Sequence, residues 1–301
     1  MAIFKIEDKY GHVLAYLQPT VHLPPSLLPP ISQHAMALLD DCRVLAVECL
    51  PTAAAGTVAG ALLCDPERAW TVVMAGWERA LVQAAARYLG LDPASLDPDA
   101  LPVSIAMRLG RAAVGLFGDA LPVMDDLLIE VAARRGAAIA ALESPARVAS
   151  VLAAVPVREQ HEHLMDMVER VLCDPDDLAE QVREVAAWAA RAPLDHEPPP
   201  CQEPFGSGRL AAGLNRARNP GIARRIAELV RPPRRWVVVA VGAGHLSGPD
   251  GLCAHLDEHG LHLVRVVYPG FPMDLAEVWI QGLRRDAGLF PAHPPARSGG
   301  G

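Results

Sequence analysis

One stretch restricts the fold of this chain more than any other: a short apolar run that ends abruptly in glycines and a histidine. It reads Val-Val-Val-Ala-Val-Gly-Ala-Gly-His-Leu-Ser-Gly over residues 237–248. A compact run of β-branched residues bounded by glycine is typical of a strand buried on both faces, which occurs mainly in parallel or mixed sheets. Ligands of such sheets bind at the carboxyl ends of the strands. His245 stands at that position, where two glycines allow the backbone to approach a ligand closely.

A strand–helix–strand unit is predicted near the amino terminus. A strand over residues 11–18 leads into a Pro-Thr-Val-His sequence at 19–22, and a proline-rich loop and a helix to about Asp41 follow. A second strand over 43–49 carries Glu48 near its end. Crossovers between parallel strands are right-handed, and both polar residues lie at carboxyl ends. We therefore expect His22 and Glu48 at the same edge of the sheet.

The middle of the chain is predicted to be helical. Over about 66–220, apolar residues recur at intervals of three and four, and prolines stand near several predicted helix starts. Inside this region a short strand over 136–142 runs into Glu143. The predicted fold class is α/β, with a central mixed, mostly parallel sheet flanked by helices. A large helical insertion separates the amino-terminal and carboxyl-terminal strand units.

A single domain is expected over residues 1–286. Its sheet core comes from about 11–50, 136–143 and 235–286. Two helices, over 208–218 and 221–230, are predicted on either side of Asn219-Pro220, because proline disfavours the helical conformation of the residue before it. A strand over 261–267 and a helix near 273–285 precede a predicted disordered tail over 287–301.

Composition argues against several classes of function. The formal net charge is −8, whereas a protein that binds nucleic acid or an acidic membrane generally needs a basic surface. Charges are spread through the first ten residues, which argues against a signal peptide, and no apolar run is long enough to span a membrane. The six cysteines form no CxxC pair, as is typical of reduced thiols. We expect a soluble, cytoplasmic protein that does not bind nucleic acid.

Two histidines and two glutamates are predicted to follow strand ends at one edge of the sheet. They are His22, Glu48, Glu143 and His245. Imidazole and carboxylate groups are the ligands of divalent metals in hydrolytic sites, where one or two positions stay open for water. The alternative interpretation is that these residues only cap buried strands. His161 and His163 are predicted to lie on one helix, two residues apart, and cannot easily share an ion.

An arginine-rich segment over 216–235 forms the one basic cluster of the sequence. Most of it is predicted to be a solvated helix face, but Arg218 precedes Asn219-Pro220 and could anchor a substrate carboxylate or an acidic ligand. Gly242 and Gly244, followed by a predicted helix start, could cradle an anion. The chain has no Gly-x-Gly-x-x-Gly, no P-loop and no Gly-x-Ser-x-Gly, which argues against a nucleotide-binding protein and against a serine hydrolase.

The motifs together resemble the TraB/GumN (TraB/PrgY/GumN) family. Arg-Asn-Pro at 218–220, one short helix upstream of the 237–252 sequence, resembles the carboxyl-terminal signature of that family. Tyr-Leu-Gln-Pro-Thr-Val-His at 16–22 resembles its Gly-Thr-x-His motif, and Leu-Ala-Val-Glu at 45–48 resembles its acidic strand end.

The resemblance continues through the middle of the chain. Ala-Leu-Glu at 141–143 resembles the central Leu-Glu of the family, and the segment at 155–160 resembles its downstream glutamine. The similarity runs from about Leu14 to Val267. The family includes Tiki-type metalloproteases and is distantly related to erythromycin-esterase-like and ChaN-like proteins.

This resemblance implies an α/β core with a helical insertion and a divalent-metal hydrolase site that carries two Gly-x-x-His motifs. The implied site residues are His22, Glu48, Glu143, Arg218, Asn219 and His245. The sequence departs from the family at Pro19, where the family has glycine. Because proline fixes φ and has no N–H, a backbone donor or a left-handed turn at that point would be lost.

A metal-dependent hydrolase of peptide or related amide bonds is the predicted function. His22, His245 and Glu48 would hold an ion of the Mn²⁺, Co²⁺ or Zn²⁺ class, and either Glu48 or Glu143 would act as general base on water. Arg218 and Asn219 would position the substrate or stabilise the oxyanion. Two alternatives stay open: a metal-independent, esterase-like hydrolase with a His/Glu pair, and a ligand-binding or regulatory protein that keeps the fold without activity.

Overall fold

A computed structural model describes residues 3–21, 23, 38–50, 60–115, 124–176, 178, 180–182, 184–185, 208–231, 236–246, 248 and 250–266. Every described residue lies in the compact unit Met1–Val267. His22, the helix predicted near 273–285 and the tail predicted over 287–301 lie outside the described residues.

Six strands among the described residues form one mixed sheet, which confirms the predicted α/β class. They are β1 Phe4–Asp8, β2 Val13–Thr20, β3 Val44–Val47, β4 Ala138–Ala141, β5 Val237–Gly242 and β6 Leu261–Arg265. Their order across the sheet is β4-β3-β5-β2-β1-β6. The pairs β4–β3, β3–β5 and β5–β2 are parallel, whereas β1 is antiparallel to both β2 and β6. All of these strands except β1 therefore run in one direction.

Helices flank the sheet and fill most of the described chain between β3 and β5. They are α1 Trp70–Val73, α2 Gly76–Tyr88, α3 Pro102–Val114, α4 Met124–Arg134, α5 Pro145–Ala153, α6 Val157–Cys173, α7 Gly208–Val230 and α8 Leu252–Glu258, with 3-10 helices at Pro93–Ser95 and Ala243–His245. Residues 175–185 are also helical wherever they are described. Within the described residues, no helix has the length and apolar character needed to cross a membrane.

The central position of β5 follows from its composition. Val237 to Val241 are all buried, as expected for a strand with neighbours on both edges and helices on both faces. Val237, Val239 and Val241 belong to one hydrophobic core with Ile222 and Ile226 of α7. On the opposite face Val238 and Leu128 of α4 line a common small cavity.

The predicted break at Asn219-Pro220 is wrong, because α7 continues through it. Pro220 lies inside the helix. A proline in a helix interior costs about 3 kcal/mol. Residues after the proline are fully buried against the sheet, among them Ile222, Ala223 and Ile226. Burial of one large aliphatic side chain contributes about 1.5–3 kcal/mol, which is enough for a few such contacts to offset the proline.

The glutamine that resembles the family glutamine lies in the helical region rather than at the sheet edge. Gln160 is fully buried and accepts a hydrogen bond from the Val103 N–H at 3.4 Å. Its amide nitrogen donates to the Val155 carbonyl at 2.8 Å. Gln160 therefore joins the first turns of α3 and α6 to the residues after α5, which is a structural role.

The two histidines that flank Glu162 lie on different faces of α6, as predicted. The Nε2 atom of His161 is 3.1 Å from a carboxylate oxygen of Glu78 on α2. His163 is 4% exposed, and burial, with the nearby positive charge of Arg170, lowers its pKa to about 4. His163 is therefore a neutral residue of the helical core at neutral pH.

Burial of His163 makes stability depend on pH in a defined window. Because its pKa is about 4 in the folded chain and about 6.5 when unfolded, the unfolded chain binds more protons between these values. This contribution to stability is complete above about pH 6.5 and is lost as the pH falls towards 4. Between pH 7 and 5, we expect the wild type to lose on the order of 2 kcal/mol more than His163→Gln. Urea unfolding at both pH values measures this, with the exposed His12→Gln as control. Equal pH dependence in wild type and His163→Gln would contradict it.

Candidate functional site

The candidate site lies at the carboxyl edge of the parallel strands. Glu48 follows β3 and Glu143 follows β4, and the Glu143 N–H donates to the Glu48 carbonyl at 2.9 Å. Ser144 caps α5, its hydroxyl accepting from the Arg147 N–H at 3.2 Å, so the chain turns sharply after Glu143. His245 ends the 3-10 helix that follows β5. The structure thus brings Glu48, Glu143 and His245 to one edge, as the sequence predicted.

A single guanidinium group joins the two carboxylates. In Arg218 of α7, Nε donates to Glu143 Oε1 at 2.7 Å, and Nη2 contacts the same oxygen. Nη2 also donates to Glu48 Oε2 at 2.8 Å. Burial alone would lower the pKa of Arg218, but the hydrogen bonds and charges of Glu143 and Glu48 outweigh it and raise that pKa. Of the two partners that the sequence suggested for Arg218, the geometry provides the acidic residues of the site.

The side chain of Glu48 is contacted by three residues from two segments of the chain. Besides Arg218, the Gly242 N–H donates to Glu48 Oε1 at 2.5 Å, and His245 Nε2 lies 3.5 Å from Oε2. The predicted anion cradle at Gly242 therefore holds an internal carboxylate. A Cβ atom at residue 242 would stand 2.8 Å from Glu48 Oε1. The φ angle of Gly242 is −53°, so the glycine is required for space and not for a left-handed backbone.

His245 is held from the opposite side by Asn219. Its Nδ1 atom lies 2.6 Å from Asn219 Oδ1. The amide nitrogen of Asn219 donates to the carbonyls of His245 at 3.3 Å and of Asp250 at 2.7 Å. Asn219 is 1% exposed. These contacts fix the imidazole between α7 and Glu48.

Further contacts hold the turn around His245, from Gly244 to Asp250, against α7. The sequence did not predict them. The side-chain amide of Asn215 donates to the Gly244 carbonyl at 2.9 Å, and Arg216 Nε donates to the Asp250 carboxylate at 2.7 Å. Asn215 and Asn219 are four residues apart and therefore face the turn from one side of the helix. That spacing was the available signal in the sequence.

Arginine 147 contacts α7 where the proline weakens the helix. Proline at 220 disturbs the hydrogen-bond ladder of the preceding turn. Arg147 Nη2 donates to the Ala217 carbonyl in that turn at 3.2 Å. Because Arg147 lies in the first turn of α5, this contact links the segment that begins at Glu143 to the part of α7 that carries Arg218.

His22 lies outside the described residues, whereas the end of β2, the strand that precedes it in the sequence, is described. Thr20, the last residue of β2, pairs with Gly242 of β5. The Thr20 hydroxyl donates to Asp125 Oδ1 at 3.0 Å, a carboxylate in the first turn of α4 that the sequence did not single out. The edge of the sheet next to β5 is therefore also lined by an acidic residue.

The cysteine beside Glu48 does not supply a thiolate. Burial and the negative charge of Glu143 raise the pKa of Cys49 to about 11. Its Sγ lies 3.6 Å from the Glu143 carbonyl oxygen. Because the thiolate is the nucleophilic form of cysteine, Cys49 is a packing residue at neutral pH.

Two side chains of the site, His245 and Glu48, are spaced as ligands of one metal ion would be. In the described part of the chain, no group of three or more His, Cys, Asp or Glu side chains could hold a metal ion. His245 Nε2 and Glu48 Oε2 are 3.5 Å apart. Two ligands bonded at about 2.1 Å to a tetrahedral ion stand about 3.4 Å apart. The donor types and spacing of this pair therefore fit two positions around an ion of the zinc class.

Comparison with known families matches the chain to a family model. The model described as the TraB/PrgY/gumN family matches residues 2–265, which include all six strands and every candidate site residue. No curated protein and no solved structure matches the chain.

Gly242→Ala tests the close approach of Glu48. The new Cβ would stand 2.8 Å from a carboxylate oxygen that is already held by Arg218 and a main-chain N–H, so the carboxylate must move. We expect a loss of about 1–3 kcal/mol in the free energy of unfolding, the usual cost of overpacking. Gly244→Ala is the matched control, because its Cβ comes no closer than 3.8 Å to Asn215. Equal urea midpoints for the two variants would contradict the prediction.

Arg218→Met tests the bridge between the carboxylates. It leaves two buried negative charges without their guanidinium partner, and we expect a loss of about 3–5 kcal/mol in the free energy of unfolding. The double variant Arg218→Met/Glu143→Gln should recover part of this loss, because it removes one of the two like charges. Arg216→Met, on the same helix in an exposed pair with Asp250, should cost less than about 1 kcal/mol. A single variant as stable as the control, or a double variant less stable than the single, would refute the bridge.

Proposed function

We propose that this chain, which belongs to the TraB/PrgY/gumN family, is a metal-dependent hydrolase of peptide or related amide bonds. Its reaction would take place at the carboxyl edge of β4, β3, β5 and β2. The substrate partner is a peptide or a small molecule with such a bond.

One observation carries the proposal: the buried carboxylate of Glu48 is held jointly by Arg218, Gly242 and His245. The side chains of Glu48, Glu143, Arg218 and His245 are 10%, 7%, 13% and 6% exposed. Burying such a group of charges is costly and stabilises a fold only weakly compared with apolar packing. Charged clusters at the carboxyl edge of a parallel sheet are typical of ligand and catalytic sites.

We assign the metal ligands to His245, Glu48 and His22. Glu48 is favoured over Glu143 because its Oε2, which also accepts from Arg218 Nη2 at 2.8 Å, lies 3.5 Å from His245 Nε2. The Oε1 atom of Glu143 contacts two nitrogens of Arg218. A bound divalent ion supplies Lewis-acid polarisation and a more acidic water. His22 follows the end of β2, next to β5, and enters this set as a proposal.

The remaining side chains would act on protons and on position. Glu143 is proposed to accept the proton of the attacking water, since it is the second carboxylate within reach of the same arginine. Arg218 would fix the separation of the two glutamates and offset part of their charge. Asn219, buried behind His245, orients the imidazole rather than the substrate.

Metal content and hydrolysis of the glutamate variants test these assignments. Glu48→Gln should lose most of the bound metal and the activity, whereas Glu143→Gln should keep the metal and lose activity by roughly 10²-fold or more, as expected for removal of a general base. Full-length protein purified without chelator would be analysed by elemental mass spectrometry and with a panel of fluorogenic peptides and amides.

Histidine variants complete the same experiment. His245→Ala should abolish metal binding, and His262→Ala, which removes an exposed histidine paired with Asp257, should not. A wild type without metal, or equal metal in both variants, would refute the metal assignment. Activity that survives chelator but is lost in His245→Ala would instead support a metal-independent His/Glu hydrolase. No turnover by metal-loaded wild type would refute the hydrolase proposal.

A further inference from the structure

We infer that Asn219 is a positioning residue that selects the tautomer of His245, so that the unprotonated Nε2 atom faces Glu48. The inference concerns the candidate site and rests on the proposed function only for its consequence in metal binding. It assigns to Asn219 a role different from contact with substrate or oxyanion.

The orientation of the Asn219 amide is determined by its surroundings. Two main-chain carbonyls, of His245 at 3.3 Å and of Asp250 at 2.7 Å, face one end of the amide. Carbonyl oxygens only accept hydrogen bonds, so this end must be the NH₂ group. The flipped amide would place its oxygen against both carbonyls and lose both bonds. Oδ1 therefore points at His245.

This orientation determines which ring nitrogen of His245 carries the proton. Asn219 Oδ1 can only accept, and it lies 2.6 Å from His245 Nδ1. Nδ1 must therefore be the donor. In a neutral imidazole the other nitrogen is then unprotonated, and the hydrogen bond of one nitrogen sets the state of the other.

The second ring nitrogen is placed as this assignment requires. His245 Nε2 is 3.5 Å from Glu48 Oε2. An N–H group that donates to a carboxylate is normally about 2.7–2.9 Å from the acceptor, so this separation is long for such a bond. It suits two electron-pair donors that face a common position. A buried partner that orients a ligating histidine in this way is typical of metal sites.

Asn219 is also enclosed in a way that excludes direct contact with a substrate. It is 1% exposed, its oxygen is used by His245, and its nitrogen is used by two carbonyls. Asn215, one turn earlier on the same helix, provides a matched comparison, because its amide binds the Gly244 carbonyl and does not contact the ring.

The acceptor and donor functions of Asn219 can be separated by substitution. Asn219→Asp keeps an acceptor for His245 Nδ1 and loses the donor to the two carbonyls. Asn219→Ala loses both. If Asn219 has a purely structural role, both variants should change the His245 tautomer to the same extent. If Asn219 selects the tautomer, the aspartate variant should keep the Nδ1–H form of the wild type.

Histidine tautomers can be measured directly by long-range ¹⁵N–¹H correlation spectra of the full-length chain labelled with ¹⁵N-histidine. Spectra would be recorded after chelator treatment at about pH 8.5, above the ordinary pKa range of histidine, and His245→Ala identifies the signal. Wild type, Asn219→Asp and Asn215→Ala should show the Nδ1–H form. Asn219→Ala should show a mixture with the Nε2–H form. In titrations with ZnCl₂, Asn219→Ala should bind about 10–100-fold more weakly than wild type.

Three outcomes would overturn the inference: an Nε2–H form in the wild type, an unchanged form in Asn219→Ala, or equal changes in the alanine and aspartate variants. The first needs no Asn219 variant, only His245→Ala to assign the signal, and decides the matter even if Asn219→Ala does not fold. Failure of the proposed function is distinguishable. A wild type with the expected tautomer that neither binds metal nor hydrolyses a substrate would refute that function and leave the inference intact.

Discussion

The ion pair between Arg218 and two strand-end carboxylates is the interaction on which the rest of the site depends. Glu48 and Glu143 follow neighbouring parallel strands and would repel each other without a cation between them. The guanidinium satisfies both with directed hydrogen bonds, because its planar fork can reach two acceptors at once. Lysine has a single charged nitrogen and would not reproduce this geometry. Because this ion pair is buried, desolvation offsets most of its contribution to the stability of the fold. Removal of one partner nevertheless destabilises the protein strongly, since it leaves an unpaired buried charge.

Helix α7 converts that ion pair into a fixed position for His245. Arg218 and Asn219 are adjacent in the chain, and one contacts the glutamates while the other contacts the histidine. The proline that follows lies inside the helix, where the apolar residues after it anchor α7 in the core of the sheet. The turn that carries His245 is fastened to the same helix by Asn215 and Arg216. Contacts from α7 therefore hold Glu48, Glu143 and His245 together, and the Gly242 N–H adds a second hold on Glu48.

Local sequence signals predicted the parts of this site but not their arrangement. The ends of β3, β4 and β5 were identified because short apolar runs stop at Glu48, Glu143 and Gly242, and parallel strands bring such ends together. The insertion of β5 between β2 and β3 was not predicted, because pairing between strands far apart in the chain leaves no local trace. For β1 no strand was predicted, although Phe4 and Ile6 alternate with polar residues in it. The helix break at Pro220 was wrong because tertiary burial outweighed a local preference. The position of His22 remains a prediction.

The two Gly-x-x-His-like motifs differ in their structural needs, and this explains why proline occurs in only one. Gly242 and Pro19 each precede a histidine by three residues, yet they are not opposite each other: Pro19 pairs with Val241, and Gly242 pairs with Thr20. Residue 242 lies against Glu48, so it must lack a Cβ and must offer its N–H. Residue 19 is extended strand, and the pairing of β2 with β1 has already ended at Leu17. An extended backbone at the end of a strand accommodates the fixed φ of proline. No left-handed turn exists at either position to be lost, since Gly242 itself has a φ of −53°. The departure at Pro19 is therefore compatible with the backbone of this edge, and the constraint that matters falls on Gly242.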